Sequence, residues 1–292
     1  MASDSDSDFY GDEETVSFLN TRVSNFDIAA WWATHRPILH QTIPPPTSPR
    51  PTIHNPRPHD PATWQPAAES ISAFLSRLPP ATTDWRPDLD WIQVANPHHS
   101  APPGRSRRQD LARFKAGGDE RLALFSAFEK TAMSMADGRS GGALIRRDVA
   151  EQRREAVADL KEFAVACGVV GGKWMLFPEP GDVNEVWAKV ARATANGGLG
   201  VGAKVETRRE VEKERLVCVY TKDFRDKDDV ARVLNRMREL ELVRPGGRYI
   251  YYKSDAWTHL GIYGGNCWGI GASTYSSTEI FSYIKSINSH GR

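Results

Sequence analysis

"GVVGGKWMLF", residues 168–177, either wraps a phosphate or enters a sheet. A phosphate-binding loop needs G-x-x-x-x-G-K-[ST] between a strand and a helix, so that backbone N–H groups, the lysine and the hydroxyl converge on phosphates and Mg²⁺. Counting back from Gly172-Lys173, the first glycine position holds Cys167, and the hydroxyl position after Lys173 holds Trp174. The flanks are also reversed. From Asp148 to Cys167, Val149, Ala156, Val157, Leu160, Phe163 and Ala164 recur at helical intervals, and "KWMLF" is a short apolar run. The stretch reads as a strand entry.

Downstream, "GDVNEVWAKVARATANGG" (181–198) spaces Val183, Val186, Trp187, Val190 and Thr194 along one helical stripe. Asp182 is expected as N-cap with Glu185 closing a capping box, and Gly197–Gly198 as the stop. "GLGVGA" (198–203) imitates a dinucleotide fingerprint, but it follows a helix and opens the strand "AKVETR" instead of the reverse. The strand "RLVCVY" and the helix "DKDDVARVLNRMREL" come next, with Val230, Val233, Leu234, Met237 and Leu240 inward. The end, "GGRYIYYKSDAWTHLGIYGGNCWGI", reads as two or three short strands turning at Gly246–Gly247 and Gly264–Gly265. Upstream, "AESISAFLSRLPP" is helical, "DLDWIQVANP" a short strand, and "DERLALFSAFEKTAM" a helix. Between the last two, "HHSAPPGRSRRQDLARFKAGG" reads as a basic loop. Hairpin-joined strands interrupted by helices predict an α+β domain, an antiparallel sheet with helices packed on one face.

The expected organisation is an acidic disordered tail over 1–20, an aromatic segment and Pro-rich linker over 21–62, and one α+β domain over 63–288. The first fourteen residues carry six acids and no base, and ten of the nineteen prolines lie between Pro37 and Pro66. Trp31 and Trp32 are expected to dock on the domain or on a protein partner. A net charge of +1 supplies no global field, so an anionic partner must be held by a local patch. Three scattered cysteines fit a reducing compartment, and no stretch approaches the roughly 20 apolar residues of a membrane span. The cytoplasm or nucleus is the expected location, with no membrane partner.

No catalytic set emerges. Ser140 in "GRSGG" lacks the buried strand that a nucleophile elbow requires, and the eight histidines show no ligand spacing. Neither an enzyme, a cofactor nor a metal is expected. Binding is better supported. "KVETRREVEKER" forms a hairpin tip carrying Lys204, Arg208, Arg209, Lys213 and Arg215, and the upstream loop adds Arg105, Arg107 and Arg108. Such cations suit phosphates, and aromatic rings such as Trp257 and Trp268 suit base stacking. RNA or a phosphorylated ligand is the expected partner. Proteins held through the acidic tail, the Pro-rich segment and Trp31/Trp32 are the alternative.

Across residues 85–278, "GGKWMLF", "VNEVWAKVARAT", "LVCVYTKDF", "YYKSDAWTHLGIYGGNCWGI" and "STYSS" together resemble the basophilic-leukaemia-expressed-protein family. That family is similar in fold to the cap-binding translation initiation factor, which implies a curved antiparallel sheet with helices on its convex face. The factor's Gly-Gly-Arg-Trp strand resembles Gly171–Trp174, and its basic hairpin falls near Arg208, Arg209 and Lys213. Its guanine-sandwiching tryptophan has no counterpart in "KEFAVACGVV", so a cap binder is not expected.

Overall fold

The computed structural model describes residues 12–35, 60–99, 109–136, 142–244 and 246–290. They fall into two units, one before residue 52 and one from residue 52 onward.

The first unit is helical: α1 spans Glu13–Ser24 and α2 Ile28–His35. Residues 1–11 of the expected tail lie outside the described residues, and α1 begins within its remainder at Glu13. Asp12 accepts a hydrogen bond from the Thr15 N–H at 2.8 Å, and Glu13 and Glu14 sit at the positive end of the helix dipole. The acids that argued for self-repulsion serve here as a cap. In α2, Trp31 lies 6.3 Å from Phe26, centroid to centroid. The Trp32 side chain and the Pro-rich segment lie outside the described residues.

The second unit contains α3 (Ile71–Arg77), β1 (Trp91–Ala95), α4 (Leu111–Ala136), α5 (Gly142–Ala166), β2 (Gly172–Leu176) and α6 (Val183–Ala195). These are followed by β3 (Gly202–Glu206), β4 (Val217–Thr221), α7 (Lys227–Glu239), β5 (Tyr251–Ser254), α8 (Asp255–His259), β6 (Tyr275–Ser276) and α9 (Ser277–His290). The six strands form one antiparallel sheet in the order β1-β3-β4-β2-β5-β6. The opening stretch is therefore a central strand. Trp174 stands opposite Val219 on one side and Tyr252 on the other.

Alternation along each strand sorts the side chains onto two faces. Ile92, Val94, Val205, Val217, Val219, Trp174 and Tyr252 share the buried one. Helix α6 covers it through Val183, Trp187 and Val190, and α7 through Val230, Val233, Leu234 and Met237. The Trp174 indole donates to the Val230 carbonyl at 3.1 Å and ties sheet to helix.

Three local expectations need correction. Asp182 makes no side-chain cap bond, because its backbone is already helical and the turn before it is closed by Glu179. Asp226 does cap α7, accepting from the Asp229 N–H at 3.0 Å. Asp226→Ala is therefore expected to cost about 1 kcal/mol, and Asp182→Ala little, in urea unfolding followed by circular dichroism.

The basic loop is shorter than its composition suggested, since α4 starts at Leu111 and runs through Gly117 and Gly118. Those glycines permit close packing: a Cβ on Gly117 would meet the Phe163 ring at 2.6 Å, and one on Gly118 would meet Leu260 at 2.5 Å. The stretch 246–270, read as short strands alone, also contains α8. The turns at Gly246 and Gly265 stand, both with positive φ. Among the described residues, no helix is long and apolar enough to cross a membrane.

Candidate ligand-binding site

The sheet face away from α6 and α7 carries the other half of each alternation. Register sets Lys173 opposite Lys253 and Tyr220, Met175 opposite Tyr251 and Cys218, and Lys204 opposite Cys218. Lys173, Lys204, Lys253, Met175, Cys218 and Tyr251, together with Trp91, Phe177, Glu206 and Tyr263, line a cavity of about 610 Å³. A second hollow of about 450 Å³ shares Lys204 with the first and extends to Lys222 and Thr63. A trough thus crosses the sheet.

Three lysines line the first cavity in different states. Lys173 is nearly buried; its Nζ lies 2.7 Å from Asp255 Oδ1 and 3.0 Å from Thr258 Oγ1, so its charge is compensated. The Lys204 Nζ lies 3.8 Å from the centre of the Trp91 ring, within cation–π range. The Lys253 Nζ lies 3.7 Å from the Tyr263 ring and, among the described residues, has no ion-pair partner. Burial, with Lys173 nearby, pushes the Lys253 amine down to about 8. It retains most of its charge at neutral pH but is costly to keep charged without an anion. On the opposing side, Glu206 accepts from the Leu216 N–H at 3.1 Å.

The remaining groups argue against nucleophilic chemistry. Burial pushes the Cys218 thiol up to about 11, which keeps it protonated, and it holds the Tyr220 phenol well above its usual range. Among the described residues, no group of three or more His, Cys, Asp or Glu side chains is placed to hold a metal ion. The chemistry on offer is recognition: ammonium groups beside ring faces, in a cleft large enough for a nucleotide-sized guest.

Of the residues singled out from sequence, Lys204 lies in this trough. The neighbouring hairpin cations are engaged elsewhere. Arg208 pairs with Asp84 at 2.7 Å, Arg209 with Asp90 at 2.8 Å, and Lys213 with Glu210 at 3.6 Å. Arg215 is buried and donates to the carbonyls of Lys213 and Glu210. Trp257 is in the core, its indole bonded to the Gly271 carbonyl at 3.0 Å, and Trp268 is half-buried with its indole on Ser126 Oγ at 3.0 Å. Arg105, Arg107 and Arg108 lie outside the described residues. Sequence reasoning missed Lys173, Lys253, Trp91 and Tyr251. The available signal was parity, since each lysine alternates with a buried neighbour on its strand.

With that geometry established, the family model for basophilic leukemia-expressed protein Bles03 matches residues 19–261. Among solved structures, the chain is similar to Ascaris suum eIF4E-3 in complex with the m2,2,7G cap. The identity is 19% over 38% of this chain and 59% of that one, with a TM-score of 0.29. The same factor with the m7G cap matches at 20% identity over 37% of this chain and 58% of that one, with a TM-score of 0.27. The chain thus spans under two thirds of the solved chains it matches, and at those TM-scores neither match bears on ligand or site.

Proposed function

The chain belongs to the family of basophilic leukemia-expressed protein Bles03, and within it we propose that this protein is a non-catalytic binding module whose open sheet face takes RNA or a phosphorylated ligand. One observation carries this reading: Lys204 and Lys253 stand against the Trp91 and Tyr263 rings inside one cavity. Across the two hollows of the trough, Lys173, Lys204, Lys222 and Lys253 stand against Glu206 and Asp255, which leaves two net positive charges. An anion there would compensate the ammonium that burial disfavours, while the rings offer planar faces to a base. The cytoplasm or nucleus is where such a ligand would be met.

Titration of a fluorescent oligouridylate against the full chain at several salt concentrations tests it. Affinity is expected to fall linearly with log[salt], with a slope of about −0.7 per phosphate contact. It is also expected to fall as pH rises through about 8, where Lys253 loses its proton. Lys204→Ala with Lys253→Ala should weaken binding by about tenfold or more, since each charged contact is worth about 1 kcal/mol or somewhat above. A wild-type chain that binds no oligonucleotide even at low salt would end the reading.

A second reading, a protein-interaction adaptor, is favoured by the exposed Phe18, Val23, Phe26 and Ile28 of the first unit. Removing residues 1–51 separates the two, because only the adaptor loses its partners. The cut cannot extend to residue 66, since Ala62, Thr63 and Trp64 are buried in the second unit.

A further inference from the structure

A second basic cavity lies beside the trough, and nothing in the reading so far uses it. It measures about 380 Å³, between the end of α7, the chain leading into β5, and the first turns of α9. Arg238, Arg244, Arg248 and Lys285 line it together with Ser277 and Thr278, and no carboxylate does so among the described residues. Arg248 is ion-paired with Glu214, and Arg238 donates to Asn235 Oδ1 at 2.5 Å. Arg244 and Lys285 have no ion-pair partner among the described residues. Ser277 and Thr278 open α9, whose dipole adds partial positive charge at the same spot. With Arg248 compensated by Glu214, the charges of Arg244 and Lys285 remain to attract an anion into the hollow.

The two cavities adjoin. Tyr251 lines the first and Tyr249 the second, two residues apart in the chain. Both rings are largely exposed, as is Phe177 at the rim of the first cavity. The Arg248 guanidinium of the second cavity sits 5.8 Å from the centre of that Phe177 ring. A row of rings therefore connects one cationic hollow to the next. Exposed rings alternating with cations form the surface that single-stranded nucleic acid follows, with bases on the rings and phosphates on the charges.

We infer that the ligand is a single strand of RNA longer than one nucleotide. Its leading base and phosphate occupy the open sheet face, the next base rests on Tyr249 and Tyr251, and a following phosphate enters the α7–α9 cavity. This rests on the open-face reading above and adds the polymeric nature of the ligand. A compact phosphorylated metabolite would leave the second cavity unused.

The test compares uridine monophosphate with the di-, tetra- and octanucleotides of uridine on the full chain, for the wild type and for R244A/K285A. Affinity is expected to climb with length through the tetranucleotide. The double variant is expected to lose about tenfold for the octanucleotide, with a salt slope shallower by about 0.7 per phosphate contact removed, while uridine monophosphate binds as before. Both positions line a surface cavity, and a circular dichroism melt coincident with wild type establishes that the variant is folded. If octanucleotide affinity and slope are unchanged in the folded variant, the second cavity is off the path and the inference falls, with the open-face reading intact. If monophosphate and octanucleotide bind the wild type equally, the polymer is excluded. If neither binds, the open-face reading falls first and takes the inference with it.

Discussion

Trp174→Ala is expected to destabilise the second unit by about 3–5 kcal/mol, read as a shift in the urea midpoint at unchanged slope. Trp174 is fully buried on the central strand, packed edge-on against Tyr252 at 5.4 Å between centroids. Alanine there would leave a void bounded by β4, β5 and α7, three elements held apart by their own register and unable to close on it. The substitution also removes the indole donor to the Val230 carbonyl. Trp174→Phe separates the contributions. It keeps most of the apolar volume and loses the hydrogen bond, so a smaller loss, about 1–2 kcal/mol, is expected. A loss below about 1 kcal/mol for the alanine variant would mean that the sheet and α7 are not packed through this side chain.

Asp255→Ala is the second large effect, at about 3 kcal/mol, because it leaves the Lys173 ammonium in the sheet without a counter-ion, with the Thr258 hydroxyl and the Tyr220 ring as neutral partners. The pair also joins β2 to α8, whose first backbone N–H donates to the Gly171 carbonyl at 2.8 Å. Lys173→Met tests the origin of the loss. The combined variant, lacking both charges, is expected to recover most of the stability lost by Asp255→Ala, since a buried ion pair and its apolar replacement are often close in energy. Thermal melts of the two single variants and the double close the cycle. Additive losses would show that the two side chains do not act as a pair.

Much of this fold was legible because its determinants are local. The apolar run of β2, the alternation of β3 and β4, and the stripes of α6 and α7 follow from spacing alone. The failures have causes that spacing does not carry. Gly117–Gly118, read as part of the basic loop, instead lie inside α4 and let it approach Phe163 and Leu260, contacts that depend on residues far along the chain. Asp182 matched a capping pattern whose geometry is set by the preceding turn. The trough was less legible. Lys173 and Lys253 are adjacent only through strand register, and a hairpin rich in arginine drew attention to cations that are paired with Asp84 and Asp90. Charge counts in a linear segment do not reveal which charges are already spoken for.

The strand order has a consequence for how the chain is made. Strand β2 lies between β4 and β5, so both of its hydrogen-bonding edges wait for residues synthesised later, the second of them not until Tyr251–Ser254. During translation Trp174 and its neighbours must persist as an open edge while α6, β3, β4 and α7 emerge, and contacts this distant in sequence form slowly. A nascent chain halted before Tyr251 would present the edge from Gly172 to Leu176 unpaired, open to association with other chains.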